Sequence, residues 1–516
     1  MLISSLIRIA GARLRAGMLV LGITLCVVQM AAQVGTQGVA TQTGAPRGSG
    51  TQAGGGQGPP ITTGTTVSVN PPPQQNFQGS VPQGTASSTP IALTFSDAID
   101  RGLKANLGLL TSQQSSREVR AARLRALSAL LPNVTGQLSM TEQQINLKAL
   151  GFNVNVPPNL GFSIPVIIAP YSYQSALANA TVPLFNFTSI QNFRSTRESD
   201  KASVLDIKNA RDLVVQAVGD AYLQIIADTA RITATQAEID ADNAIYVNAQ
   251  RRHEAGMAIG IDVLRSQVEL KQRQQALVAV TNQFEKDKLA LGRIIGLPPG
   301  QDFIVADPSP NVPFEAMPVK DALAAAYEHR PDYQAAKARV LAAQFALRAA
   351  QAERYPTLTA SGDYGAEGLR LLSNSHGVFT ATGSIAFNIF DGGRIKADIL
   401  NNDAELRNRR NEMENLRGQI DYEVRSALLD LKSANDQVDV ARSNMDLASQ
   451  SLQQSRDRFA AGVTNTVEVV QAQQAVADAN ENLISAQYQY NVAKVSLARS
   501  LGVAEQGVRN YFSHTP

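Results

Sequence analysis

Two long segments of the chain carry hydrophobic residues at alternating steps of three and four. One heptad position stays apolar in both segments: Val218, Ile225, Ile232, Ile239 and Tyr246, then Val424, Leu431, Val438, Met445 and Leu452. A 3.5-residue period kept over several heptads is typical of coiled-coil packing. The pattern predicts helices over 188–254 and 394–460, each about 100 Å long at a rise of ~1.5 Å per residue. An ordinary soluble antiparallel coiled coil would show the same period.

Both predicted helices stop at similar short breaks. The stretch "HEAGMAIGIDVL" starts at His253, and its near-echo "FAAGVTNTVEVV" starts at Phe459, offset by 206. Further matches in the same order are "TFSDAI" with "PVKDAL" and "LLPNVT" with "RYPTLT", both offset by 224. These matches indicate an internal duplication. Repeat 1 covers 93–300, repeat 2 covers 319–505, and a proline-rich linker, 301–318, joins them.

Each repeat also contains two shorter predicted helices. They cover 94–131 and 262–296 in repeat 1, and 319–355 and 468–502 in repeat 2. Stacked end to end, each pair nearly matches the length of the long helix in the same repeat. The sequence therefore predicts a module of two rods lying side by side, present twice.

Alternating apolar and polar residues predict four strands between the helices. "NVTGQLSMTEQ", "TLTASGDYG" and "VFTATGSIAFNIF" alternate clearly, and 171–182 does so less cleanly. Lengths of about 10–12 residues suit tilted membrane strands, and one apolar with one polar face is typical of a barrel with lipid outside and water inside. A soluble antiparallel sheet would look similar. Four strands cannot enclose a water-filled lumen, and open edges are not tolerated in lipid, so a barrel would require several copies of the chain.

The two ends of the chain have distinct compositions. Residues 1–32 have a positive start, an apolar run and a small-residue exit, which predicts a cleaved signal peptide, with a membrane anchor as the alternative. Residues 33–92 are rich in glycine and proline, which predicts a disordered leader. Cys26, the single cysteine, lies in the signal segment, and its lipidation is left open. Residues 506–516 are predicted to form a C-terminal tail.

Candidate chemistry is sparse. The formal net charge is +2, so no basic field predicts nucleic-acid binding. The histidines lack ligand-like partners at i+3 or i+4; they are His253, His329, His376 and His514. Neither a phosphate-binding loop nor a nucleophile motif stands out, so we predict neither an enzyme nor a cofactor. Asp97 and Asp321 follow helix starts and are interpreted as charges that the helix dipole favours.

The whole ordered pattern resembles the TolC-type outer-membrane efflux proteins over about 93–505. It consists of two units with "PLF" or "FDGG" after a strand, long helices, and an "AG" break followed by Asp or Glu. The resemblance implies a mainly α fold with membrane β: a homotrimer whose 12-stranded outer-membrane barrel continues as a periplasmic α-helical coiled-coil barrel. It also implies a passive exit duct of a tripartite efflux or type I secretion system, with outer-membrane lipid, a periplasmic adaptor and an inner-membrane pump as partners.

Two alternatives stay open beside this resemblance. They are a secreted coiled-coil structural protein without a pore and an outer-membrane adhesin or stalk protein. The insert at 144–170 would be an extracellular loop that either lids the pore or packs against its symmetry mates. The exported substrate is not readable from the sequence.

The resemblance places both breaks at a periplasmic tip, where the adaptor docks and the channel constricts. It assigns docking to the residues of the two turns: Gly256, Met257, Ile259, Gly260, Gly462, Val463 and Thr464. The gate or lumen candidates are Asp262, Phe459, Thr464, Glu468 and Gln471.

This chain departs from the family pattern in the second turn. Phe459 and Thr464 stand where family members often have a tyrosine and an arginine, so the usual salt-bridge lock is not expected. We expect Gly256 and Gly462 to permit the turns and close approach of the adaptor. We expect Glu468 to set cation preference, because three copies near a narrow axis would focus negative potential. The alternative for Glu468 is that it stabilises the start of a helix.

Overall fold

The computed structural model describes residues 77–151, 165–307, 317–464 and 466–512, without the side chains of 509–512. The chain divides into two units, Met1–Val69 and Asn70–Pro516, and all described residues belong to the second. The predicted signal peptide and most of the predicted leader therefore lie outside the described residues.

Helices dominate the described part of the chain. In chain order the elements are β1 (Ile91–Leu93), α1 (Phe95–Ala105), α2 (Leu107–Ser128), β2 (Asn133–Asn146), β3 (Ile167–Phe185), α3 (Phe187–Glu254), α4 (Gly260–Ile295), β4 (Phe303–Val305), α5 (Val319–His329), α6 (Pro331–Ala352), β5 (Thr357–Arg370), β6 (Asn374–Ala386), α7 (Arg394–Ala460), α8 (Thr466–Ser500) and α9 (Ala504–Phe512). The two predicted long helices are confirmed to within one residue as α3 and α7. Among the described residues, no helix combines the length and the apolarity needed to cross a membrane.

The shorter helices cover the long ones in two stacked halves. Along α3, α2 and α6 pack on one half, and α4 and α8 pack on the other, while α7 packs against α6 and α8. The order of columns is therefore α2–α3–α6–α7 in one half and α4–α3–α8–α7 in the other. This arrangement confirms the predicted pairs of rods and leaves α2, α4 and α7 at the edges.

Single residues interrupt the predicted helices 94–131 and 319–355. Asn106 and Arg330 adopt extended backbone, with ψ of 128° and 119°, and each separates two helices. Asn106 donates from Nδ2 to the Phe77 carbonyl and accepts from the Gly108 amide. The sequence-based prediction missed both breaks, because the helical pattern resumes at the next residue. Asn106 and Arg330 are separated by the same number of residues as the matching segments of the two repeats in this region. The two breaks are therefore part of the duplication.

A glycine at the end of another helix packs against each break. After α4, Gly296 has a φ of +74°, and a Cβ placed on it would lie 2.3 Å from Cβ of Ala105. After α8, Gly502 has a φ of +75°, and its Cβ would lie 2.7 Å from Cα of Arg330. Helix ends thus meet helix breaks at a distance that only glycine permits, and the contact is made once in each repeat.

The four longer strands form an antiparallel sheet in the order β2–β3–β5–β6. The register places the predicted apolar residues on one face, with a row of Gly136, Ala178, Tyr364 and Phe379. The adjacent row on the opposite face is Thr135, Asn179, Asp363 and Thr380. The strands have 14, 19, 14 and 13 residues, longer than predicted, because backbone pairing continues where side-chain alternation stops. Part of the predicted insert, residues 152–164, lies outside the described residues.

The predicted boundaries of the leader, linker and tail need correction. Residues 77–92 are not disordered: Phe77 is 3% exposed in the core, and the Val81 amide donates to the Ala105 carbonyl. Strand β1 pairs in parallel with β4, which lies within the predicted linker. Helix α9 extends from repeat 2 into the predicted tail. A few apolar anchors and backbone hydrogen bonds to the core order a segment whose composition alone predicts disorder.

The close approach at Gly502 generates a first prediction. Gly502→Ala adds a clash with the Arg330 backbone to the strain of a positive φ, so we expect the free energy of unfolding to fall by about 2–4 kcal/mol. Gly462 is the matched control, since its φ is +72° and nothing lies within 4 Å of the position that a Cβ would take. Gly462→Ala should cost only about 1–2 kcal/mol. Denaturant unfolding of both purified variants measures the difference, and equal losses would contradict the clash.

Candidate functional site

The first helical break is a tight turn with a glycine cap. Helix α3 ends at Glu254, the Gly256 amide donates to the His253 carbonyl at 2.9 Å, and the Met257 amide donates to the Arg252 carbonyl at 2.8 Å. Gly256 has a φ of +73°. This pair of hydrogen bonds is the common way to end a helix with a left-handed glycine.

The second break repeats this geometry at the equivalent position of repeat 2. The Gly462 amide donates to the Phe459 carbonyl at 3.1 Å, the Val463 amide donates to the Arg458 carbonyl at 2.9 Å, and Gly462 has a φ of +72°. The predicted role of the two glycines in the turns is therefore confirmed. Their predicted role in adaptor approach stays a prediction.

Each turn is followed by an acidic residue in the first turn of the next helix. Asp262 is the third residue of α4, and Glu468 is the third residue of α8. Negative charge at this position is favoured by the unpaired amides and dipole of a helix N-terminus. Gln471, the remaining gate candidate, is exposed on α8.

The two acids make different contacts. The Asp262 carboxylate lies 3.5 Å from the Arg265 guanidinium within α4. The Glu468 carboxylate reaches back to the end of α7, where Arg458 Nη1 donates at 2.8 Å, and it also accepts from the Thr464 hydroxyl. Glutamate is one methylene longer than aspartate, which gives it the reach to close its own turn. Glu468 and Thr464 thus lie together in one contact network.

A cation–π contact joins the two turns. The Arg252 guanidinium carbon lies 4.6 Å from the ring centroid of Phe459, within cation–π range, and Phe459 is half-buried. Arg252 and Arg458 occupy equivalent positions in the two repeats, but Arg252 reaches across to the second turn while Arg458 stays within its own. Sequence reasoning missed both arginines. The sequence signal that could have identified them is that they occupy equivalent positions just before the two breaks.

Large apolar side chains are exposed around the turns. The exposed fractions of Met257, Ile259 and Val463 are 67%, 66% and 69%, and Ile261 and Leu264 beside them on α4 are also exposed. We call these five residues the tip surface. Gly260 starts α4 next to them, and a Cβ placed on it would lie 3.7 Å from the His253 ring. Clustered apolar exposure of this kind often marks a surface for interaction with another protein.

Metal-ligating side chains do not cluster in the described ranges, where no group of three or more His, Cys, Asp or Glu residues is placed to hold an ion. The candidate site therefore consists of the two glycine-capped turns, the arginines Arg252 and Arg458, the acids Asp262 and Glu468, and the tip surface.

Several solved structures that match this architecture are outer-membrane channels. The outer membrane protein VceC of Vibrio cholerae matches with a TM-score of 0.67 and 16% identity, over 79% of this chain and 96% of that one. The MtrE outer membrane channel of Neisseria gonorrhoeae, solved in its open state, matches with a TM-score of 0.67 and 19% identity, over 82% and 95% of the two chains. These similarities define the fold as that of an outer-membrane channel protein.

The chain belongs to the outer membrane efflux protein family, whose family model matches residues 98–297 and 322–503. Among curated relatives, outer membrane protein OprJ of Pseudomonas aeruginosa is 24% identical over 78% of this chain and 83% of its own length. The cation efflux system protein CusC of Escherichia coli K12 is 26% identical over 60% of this chain and 67% of its own. The protein is thus an outer-membrane protein with a large periplasmic part, and not an enzyme.

Proposed function

We propose that this protein is the passive outer-membrane exit duct of a tripartite efflux or type I secretion system. The observation that carries the proposal is that, among the described residues, both the sheet and the helical columns end in edges that no other element covers. Strands β2 and β6 are the edges of the sheet, and α4 and α7 are the edges of the helical half beside the turns. Open strand edges are not tolerated in lipid, so further copies must pair with them.

The helical edges support closure by copies of the same chain. On α4, Val278 and Leu289 are 71% and 74% exposed, and on α7, Leu429 and Val440 are 69% and 61% exposed. The two pairs have the same spacing along their helices, so an antiparallel neighbour can match Val278 with Val440 and Leu289 with Leu429. An interface between different edges is head-to-tail, and such an interface forms a ring when the rotation between successive copies closes.

Three copies would form a barrel of twelve strands, with the apolar sheet face toward outer-membrane lipid and the polar face toward a water-filled lumen. The α-helical columns would continue this lumen across the periplasm for about 100 Å. The tip surface would then form a ring at the far end, suited to docking by a periplasmic adaptor that carries an inner-membrane pump.

Relatives of this chain differ in what they export. OpmQ of Pseudomonas aeruginosa, 24% identical over 61% of this chain, is a pyoverdine export protein, and CusC belongs to a cation efflux system. Such different cargoes in one family support a duct whose substrate is chosen by its pump.

Cysteine crosslinking and conductance test the proposal. In a Cys26→Ser background, Val278→Cys with Val440→Cys should link purified protein into covalent trimers, because the two thiols would meet across each interface. The control pair, Leu289→Cys with Leu447→Cys, would be about 27 Å out of register and should stay unlinked. The protein should also conduct ions in planar bilayers. Monomers without conductance would favour the secreted coiled-coil or adhesin alternatives.

The contact between the turns supports a gate at the tip. Opening the ring would separate the α3–α4 hairpin from the α7–α8 hairpin, and this breaks the contact of Arg252 with Phe459. The Arg458–Glu468 pair would keep the second turn intact during this movement. The gate of this channel would therefore depend on a cation–π contact in place of an arginine–aspartate pair.

Single-channel recording tests this gate. Arg252→Gln or Phe459→Leu should raise the open probability of the isolated channel at least about twofold to fivefold, because each partly exposed cation–π contact is worth at least about 0.5–1 kcal/mol and each of the three copies would lose one. Arg251, the exposed neighbour of Arg252, provides the control variant Arg251→Gln, which should behave as wild type. Unchanged open probability in both Arg252→Gln and Phe459→Leu would rule the gate out.

The second turn also generates a prediction for ion selectivity. Glu468 and Arg458 would add opposite charges to the same ring, three times each. Glu468→Gln should therefore reduce cation preference, and Arg458→Gln should increase it. Reversal potentials in asymmetric salt measure both changes. If neither variant shifts the reversal potential, the pair does not face the ion pathway.

A further inference from the structure

Helix α3 carries acidic side chains along the seam where it packs against α4 and α8. Within the described residues, one carboxylate oxygen of each of three aspartates is buried and accepts no hydrogen bond: Asp220 Oδ1, Asp228 Oδ2 and Asp242 Oδ2. The side chains of Asp228 and Asp242 are only 2% and 5% exposed. An ionised carboxylate is costly to bury when one of its oxygens has no donor, and a bound proton removes that cost.

Around Asp228, acids outnumber cations. Its Oδ1 accepts from Gln224 Nε2 and from Arg231 Nη1, both at 3.0 Å, while the Asp287 carboxylate of α4 faces the same group. Arg231 is shared, because its Nε also donates to Glu481 of α8 at 2.9 Å. The Arg231 guanidinium therefore pairs directly with two acids, Asp228 and Glu481, while the third acid, Asp287, lies close by.

A second shared arginine lies nearer the turns. Arg273 of α4 lies 3.8 Å from Asp242, 3.3 Å from Glu238 and 3.5 Å from Glu269. The other neighbours that act on Asp242 or Glu238 come from α7 and α8; they are Arg456, Gln473, Asp478 and Glu481. Asp220, further up the seam, acts on the Tyr488 hydroxyl of α8.

The energetic consequence follows from burial. Burial raises the pKa of Asp220 to about 7. Burial is also the largest cause that raises the pKa of Asp228 and Asp242 to about 6, with Asp287 adding to the effect at Asp228 and Glu269 at Asp242.

In the equivalent positions of the other repeat, these acids and arginines are replaced by neutral residues. Shifted by 206 positions, the four α3 acids Asp220, Asp228, Glu238 and Asp242 correspond to Ser426, Ala434, Asn444 and Ala448 of α7. The two arginines correspond to Gln437 and Ala479, and Asp287 and Glu481 correspond to Ala493 and Gln275. The fold therefore does not require ionisable groups at these positions, because the equivalent helix is built without them.

We propose that the seam of α3 with α4 and α8 is a pH-responsive element, packed most firmly when its carboxylates hold protons and loosened as the pH rises. The equivalent positions of α7 hold neutral residues, so the packing of α7 lacks this response. The element belongs to the single chain and does not depend on the proposed channel function.

The sign follows from proton linkage. A carboxyl group with a higher pKa in the packed state than in the open state binds more protons when packed. The difference applies at pH values between the two pKa values. For the pKa of Asp220 this range extends from 3.8 to about 7. The stability of the packed seam is therefore greatest at the acidic end of this range and falls as the pH rises through it.

Amide hydrogen exchange on the purified, assembled protein in detergent tests the proposal. Between about pH 5 and pH 6.5, protection factors corrected for intrinsic exchange should fall about tenfold or more along the α3 seam, since one retained proton changes opening about tenfold per pH unit. Protection of the equivalent α7 residues should change less than about twofold.

Substitutions separate the aspartates from other sources of pH dependence. The triple variant Asp220→Asn, Asp228→Asn and Asp242→Asn should flatten the pH profile of α3, and Asp220→Asn alone should flatten it in part. Asp240→Asn, at an exposed position of α3, should keep the wild-type profile. Equal pH profiles for wild-type α3 and α7, or a wild-type profile in Asp220→Asn, would overturn the proposal. Because no conductance is measured, failure here leaves the proposed channel function untouched.

Discussion

A helix of nearly seventy residues cannot cover its own apolar stripe, and this constraint organises the protein. Helices α3 and α7 need partners along their full length, and shorter helices stacked in two halves supply them. Stacking requires helix ends to meet, and they meet at Asn106 and Arg330. The glycines after α4 and α8 occur because a side chain there would collide with the facing backbone or side chain. The end-to-end geometry thus dictates details that look local in the sequence.

Duplication supplied the same geometry twice, and small differences then gave the copies different chemistry. Both turns end a helix with the same hydrogen bonds and the same left-handed glycine. The turns differ in side chains: Asp262 corresponds to Glu468, Ala258 to Thr464 and His253 to Phe459. Arg458 is held by Glu468, whereas the equivalent Arg252 extends to Phe459. The asymmetry between the two hairpins therefore arises from different side chains on a common backbone.

Much of the fold was predictable, because its strongest signal is periodic. The 3.5-residue pattern located both long helices to within one residue, and the duplication located the two turns. Asn106 and Arg330 were missed because one extended residue leaves no gap in the helical pattern. Phe77 and the segment after it were missed because their order comes from hydrogen bonds to distant residues. The pairing of Arg252 with Phe459 was equally out of reach, since it joins side chains that only the tertiary fold brings together.

The distribution of charge between the repeats matters for how an assembly of copies would behave. The seam inside one protomer uses α3, with its buried acids, whereas the outer edge uses α7, whose equivalent positions are neutral. Closure between copies would therefore rest on apolar contacts such as Val278 with Val440, which do not titrate. A change of pH would then loosen packing within each protomer and leave the joints between protomers intact. Separating the two seams in this way would let one part of the proposed ring move while the ring itself stays closed.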